Sequence, residues 1–137
     1  MLKEKIQYKK LERVTTAEGR KYVGDDNIPV PSVTTVLDKT SDKTALIAWR
    51  KRVGETEANK VTKAATARGT EYHEAAQMYL ENTELNWDNF TPVTKYMFHH
   101  ATPYLDKINN IHAIERTLYS EYLGLAGRVD CIAEYEG

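Results

Sequence analysis

Ala113-Ile114-Glu115-Arg116-Thr117-Leu118-Tyr119-Ser120 and, a few residues later, Arg128-Val129-Asp130-Cys131-Ile132-Ala133-Glu134-Tyr135 decide the fold. Apolar and polar side chains alternate with period two in both, and Tyr122-Leu123-Gly124-Leu125-Ala126-Gly127 between them turns the chain. The spacing predicts an antiparallel hairpin over residues 112–135. Asp130 stands out within it. Its neighbours Val129, Cys131, Ile132 and Ala133 imply a buried position, and a buried carboxylate is costly unless a cation or hydrogen bonds satisfy it. Capping a loop, or pairing with Arg128 or Arg68, would satisfy it as well as a metal would.

Upstream of the hairpin the period changes. Val93, Tyr96, Met97, His100, Tyr104, Leu105 and Ile108 recur at helical spacing, with Pro103 expected to kink or break the helix. A longer helical stretch covers about Lys43 to Asn82, interrupted near Gly54, and Ala58, Val61, Ala65, Gly69, Tyr72, Ala76 and Tyr79 mark one buried stripe with His73 beside it. Residues 83–91 read as a polar loop. Pro31-Ser32-Val33-Thr34-Thr35-Val36-Leu37 reads as a short helix capped by Ser32. Tyr8 to Val14 and Arg20 to Val23, joined by a turn at Glu18-Gly19, read as a small hairpin, and Gly24-Asp25-Asp26-Asn27 as a polar turn. The expected class is therefore α+β in a single domain over 1–137: an N-terminal hairpin (1–30), a helical region (31–110) packed on the C-terminal hairpin, and that hairpin (111–137).

A chain of 137 residues with 41% hydrophobic and 28% charged residues can hold a core without disulfides or metals. Its single cysteine, Cys131, cannot form an internal bridge and fits a reducing, cytoplasmic setting; on an apolar strand it reads as a small hydrophobe rather than a nucleophile. The formal charge of -1 excludes a strongly basic DNA coater. No apolar run reaches the roughly 18 residues of a membrane span, and Met-Leu-Lys-Glu-Lys at the start lacks the apolar stretch of a secretory signal. The charge is segregated, however. Residues 42–68 hold seven basic residues against three acidic ones, whereas residues 71–91 hold five acidic residues and no Lys or Arg. Either run can be a solvated helix face; a phosphate-tracking surface beside a cation site is the functional alternative.

Several familiar chemistries are missing: no glycine-rich phosphate loop follows a strand, no cysteine pairs have zinc spacing, and His99-His100 diverge by about 100° on a helix. The Gly69-Thr70-Glu71-Tyr72-His73 block, Glu115 and Gly127-Arg128-Val129-Asp130 remain. Together with Pro31–Leu37, Ala48-Trp49-Arg50-Lys51, Arg68 through His73, and Leu118-Tyr119-Ser120 leading into Leu125 through Asp130, they resemble the PD-(D/E)XK nuclease superfamily. The resemblance is to its RecB-like branch of mitochondrial genome maintenance exonuclease-like phage and bacterial enzymes, and it runs from Tyr22 onward. It implies an incomplete PD-(D/E)XK core with catalytic metal ligands His73 and Asp130, Glu115 as a supporting acid, and Mg2+ or Mn2+, weakly held in this chain. It further implies a DNA substrate, single-stranded or with ends, with Arg50, Lys60, Lys63 and Arg68 lining the groove that takes the backbone.

Family members continue with a strand carrying Asp/Glu-x-Lys; here none comes after Asp130, and Lys3-Glu4-Lys5 lies at the wrong end of the topology. The expectation is thus an N-terminal part or split half of a metal-dependent DNA exonuclease, inactive alone and completed by a C-terminal fragment, in the cytoplasm of a bacterium or phage-infected cell. The alternative is a catalytically dead nuclease-like module that binds DNA or regulates a nuclease partner.

Overall fold

The computed structural model describes residues 9–137. The start of the first expected strand at Tyr8 and the Lys3-Glu4-Lys5 string lie outside them. The chain is mixed α/β, and its contacts divide it into two compact units: the stretch ending at Ser41 with Asn110–Ala133, and Asp42–Asn109 with Glu134–Gly137. Among the described residues, no helix is long and apolar enough to cross a membrane.

The first unit opens with β1 (Glu12–Thr16), β2 (Gly19–Val23) and β3 (Pro29–Pro31), an antiparallel sheet in the order β1-β2-β3. The expected hairpin is thus a three-stranded sheet, because the Asp25-Asp26 turn folds Val30 back opposite Tyr22. Tyr22, in the middle strand, is buried. α1 (Val33–Thr40) begins as the sequence predicts: Ser32 accepts the Thr34 amide at 3.2 Å, which satisfies one orphan donor of the first turn. Its start is tied to β2, since the Ser32 amide and the Thr35 hydroxyl both donate to the Arg20 carbonyl, at 3.1 and 2.9 Å. Gly19 makes this approach possible. Its φ is +119°, and a Cβ there would lie 2.7 Å from Thr35 Cγ2. β4 (Ile108–Ser120) and β5 (Leu125–Tyr135) pair across residues 121–124 into the expected hairpin.

In the second unit α2 (Thr44–Val53) and α3 (Glu55–Leu80) meet at Gly54, whose φ of +87° suits glycine. Glu55 and Glu57 then complement the α3 N-terminus. A short 3-10 turn (Trp87–Asn89) and α4 (Pro92–Leu105) come next. Ala75, Phe90 and Phe98 form the core, with Tyr72, Met78, Tyr79, Leu85, Trp87 and Leu105 packed around them. Trp87 and Phe98 rings stand 4.9 Å apart, so the stretch read as a polar loop delivers two aromatic anchors.

Two expected stripes need correction. On α3 the whole run 61–70, including Val61, Ala65 and Gly69, is exposed; only Ala58 and Ala75 are buried. Alanine fits an apolar period but also forms helix well on a surface, so the period there reports propensity rather than burial. On α4 the covered side is Thr94, Phe98 and Leu105, while Val93, Tyr96, Met97, His100 and Tyr104 face outward. Both sides of that helix are apolar, so spacing alone could not choose. The helix also runs through Pro103 and ends two residues later, at Leu105, although proline leaves the His99 carbonyl without an i+4 amide donor.

Glu71 joins α3 to the start of α4. Its carboxylate accepts the Thr91 amide at 3.0 Å, the Thr91 hydroxyl at 2.6 Å, and the hydroxyl of the buried Thr94. Hydrogen bonds from Thr91, then Thr94, hold its pKa below the ordinary value. A depressed folded pKa stabilises at pH above the unfolded value near 4.5 and is lost as pH falls through the folded one. Acid titration of the melting temperature should therefore show Glu71→Gln losing part of its fall below pH 4.5; a curve parallel to the parent would contradict the cap. Urea denaturation should place Phe98→Ala about 3–5 kcal/mol below the parent and Val93→Ala within about 0.5 kcal/mol. Equal losses would mean that both faces of α4 are covered.

Candidate metal centre and nucleic-acid face

The first unit brings two carboxylates together on the hairpin. Ala113 and Ile114, adjacent in β4 and so on opposite faces, are both buried, so this part of the strand is covered on both sides. Glu115, the next residue, has a φ of +51°, a left-handed conformation rare for a non-glycine residue inside a strand. A carboxylate oxygen of Glu115 lies within 4.8 Å of one of Asp130 on β5. Arg128, two residues before Asp130 and so on the same face, binds Glu115 Oε2 through Nε at 2.6 Å. The Glu115 side chain is nearly buried and Arg128 half-exposed, so the pair holds its geometry with little freedom.

Asp130 itself is exposed, not buried as its apolar neighbours suggested. Ala126, four residues back on the same face, is buried where Ser32 bridges to it, and the cover ends before Arg128 and Asp130. Cys131 points to the other face, half-buried; burial and then the Asp130 charge push its thiol pKa up, which disfavours a thiolate. Oxygen donors of this kind suit a hard divalent cation, and a cation would relieve the repulsion between two carboxylates this close. Arg128 is the residue that sequence reasoning missed in this role; its signal was the two-residue spacing to Asp130.

His73 belongs to the second unit, on α3. The same helix carries Lys60, Lys63 and Arg68, all exposed. Lys60 lies 3.9 Å from Glu57, a loose surface pair. At about 100° per residue, the three cations spread over roughly 140° of the helix, a curved band rather than one line. Arg50 is engaged differently. Its guanidinium forks onto Glu55 at 2.7 and 3.2 Å and reaches Asn59, so it ties α2 to α3.

No family model matches the chain. The human mitochondrial genome maintenance exonuclease 1 is similar to it. The two are 28% identical over 116 residues, covering 79% of this chain and 34% of that protein. The chain thus spans about a third of the length of the curated relative it matches.

The left-handed conformation of Glu115 has a thermodynamic signature. Glu115→Ala and Glu115→Gly both remove the carboxylate, but only glycine takes φ near +51° without a Cβ penalty. The glycine variant should be about 1 kcal/mol more stable than the alanine variant in urea denaturation. The reverse order, which an ordinary extended strand would give, would contradict the left-handed conformation.

Proposed function

We propose that this chain carries part of the site of a divalent-metal-dependent DNA exonuclease. Asp130 and His73 are the metal ligands, Glu115 holds the ligand geometry from beside Asp130, and an Asp/Glu-x-Lys element from outside these 137 residues completes the site. The observation that carries the reading is the Glu115–Asp130 carboxylate pair on the hairpin, with Arg128 paired to the left-handed Glu115. Similarity to an exonuclease supports it independently.

When bound, Mg2+ or Mn2+ would activate water and neutralise charge developing on the scissile phosphate. Asp130, an exposed residue of the hairpin, contributes a carboxylate ligand. Glu115 has one oxygen occupied by Arg128, which suits an orienting acid better than a second full ligand. A histidine ligand makes Mn2+ as fitting as Mg2+. Lys60, Lys63 and Arg68 track the phosphate backbone along α3 toward His73. The missing element docks as a strand against the hairpin, where an open apolar depression of about 480 Å3, lined by Val33, Leu118, Leu123, Leu125 and Val129, can take its side chains.

Two protein ligands hold a divalent cation weakly, and each misplaced group costs on the order of a hundredfold in rate, so the chain alone should not cleave DNA. Adding a fragment that carries the Asp/Glu-x-Lys strand should restore Mg2+- or Mn2+-dependent nucleotide release, and His73→Ala or Asp130→Ala should abolish it. Restored activity indifferent to both substitutions would overturn the ligand assignment. DNA binding that never yields cleavage with any complementing strand would favour a nuclease-like binding or regulatory module. A Lys60, Lys63 and Arg68 triple alanine variant should lower the slope of log affinity against log salt by about 0.7 for each lost contact on single-stranded DNA; an unchanged slope would remove the groove.

A further inference from the structure

We infer that the outward face of α4 is a stacking platform for the bases of single-stranded DNA, a surface that rests on the nuclease reading but uses none of its metal site. Val93, Tyr96, Met97, His100 and Tyr104 fall within about a 100° arc, centred roughly 125° around the helix from the side formed by Thr94, Phe98 and Leu105 that is packed into the unit. Val93 is 49% exposed, Tyr96 65%, Met97 37% and Tyr104 63%. A helix with one apolar face in the core and a second one in water has a surface to be covered by something else.

The chemistry of the face selects the occupant. The His100 ring lies 4.2 Å from the Tyr96 ring, and its Nδ1 is 2.9 Å from the Tyr96 carbonyl oxygen, so two aromatic groups are held as one surface. Tyr104 stands eight residues beyond Tyr96, about 12 Å along the axis, the length of three or four bases stacked at the ~3.4 Å rise of a strand. No acidic residue occurs from Asn89 to Leu105, although the chain has 20, whereas Lys95 and His99 lie beyond the Tyr96 edge of the aromatic row. Asp106, the first acid beyond, accepts the Tyr79 hydroxyl at 2.5 Å. An acid-free, aromatic strip with Lys95 beside it complements an anionic polymer with exposed π-faces. A second copy of the chain fits less well. Two tyrosines at these exposures, with Val93 and Met97, offer on the order of a few hundred Å2, against about 800 Å2 per partner in a stable protein interface.

Fluorescence anisotropy of a labelled oligothymidylate with the full chain, without divalent metal so that cleavage cannot intervene, tests the platform. Tyr96→Ala and Tyr104→Ala should each weaken binding roughly five- to a hundredfold with an unchanged salt slope, because stacking rather than charge is removed. Tyr96→Phe should bind like the parent. An abasic oligomer of the same length should bind more weakly than oligothymidylate and show no difference between parent and Tyr96→Ala. Alanine variants that bind like the parent would overturn the platform; if the Lys60, Lys63 and Arg68 variant still loses affinity in the same assay, the nuclease reading stands. Self-association in sedimentation that Tyr96→Ala abolishes would overturn it too, assigning the face to a second copy. No binding of any single strand would also overturn the platform, leaving the nuclease reading to be judged by reconstituted cleavage.

Discussion

The hairpin's chemistry depends on one strained residue and the ion pair that holds it. A left-handed glutamate inside a strand costs on the order of 1–3 kcal/mol and persists only where its surroundings over-determine it. At Glu115 the surroundings are the buried Ala113 and Ile114 before it and the Arg128 guanidinium on the side chain itself. A charge-assisted hydrogen bond in a half-covered position is worth a comparable amount. Strain and ion pair therefore meet at one residue, and the pair offsets part of what the conformation costs.

The helical unit solves a separate problem, the support of a long and largely solvated helix. Residues 61–70 of α3 are all exposed, so that stretch is held by the intrinsic preference of Ala64, Ala65 and Ala67 for helix and by its ends. Gly54 and the Arg50 fork fix the N-terminal end, and Glu71 with the Phe98 cluster fixes the C-terminal end. This exposed run is the stretch on which the proposed nucleic-acid groove depends. Lys63 and Arg68 stand on it with their charges toward solvent.

Legibility in the sequence depends on how local each signal is. The Ser32 cap, the Gly54 break and the hairpin around Gly124 are written in residues adjacent to the feature they make, and they were legible. The Ser32–Ala126 bridge and the Glu71–Thr94 bond join residues far apart in sequence, and no periodicity announces them. Burial was least legible. Asp130 sits among apolar residues yet is exposed, since a two-stranded hairpin is covered only where another element reaches it. The stripe on α4 was real but faced water, and Trp87 and Phe90 were hidden in a segment whose other residues are polar. The paired roles of Glu115 and Asp130 came from resemblance; their proximity needed the fold.

The central claim is that Asp130 and His73 serve the same cation. Titrating Mn2+ into isotopically labelled chain while recording amide spectra tests it directly, because paramagnetic broadening reports distance from the ion. The account predicts broadening of residues 114–116 and 129–131 and, at the same Mn2+ concentration, of 72–74, with all three sets spared in Asp130→Ala. Broadening confined to the hairpin, or spread over the acidic stretch 81–88 and indifferent to Asp130→Ala, would contradict it.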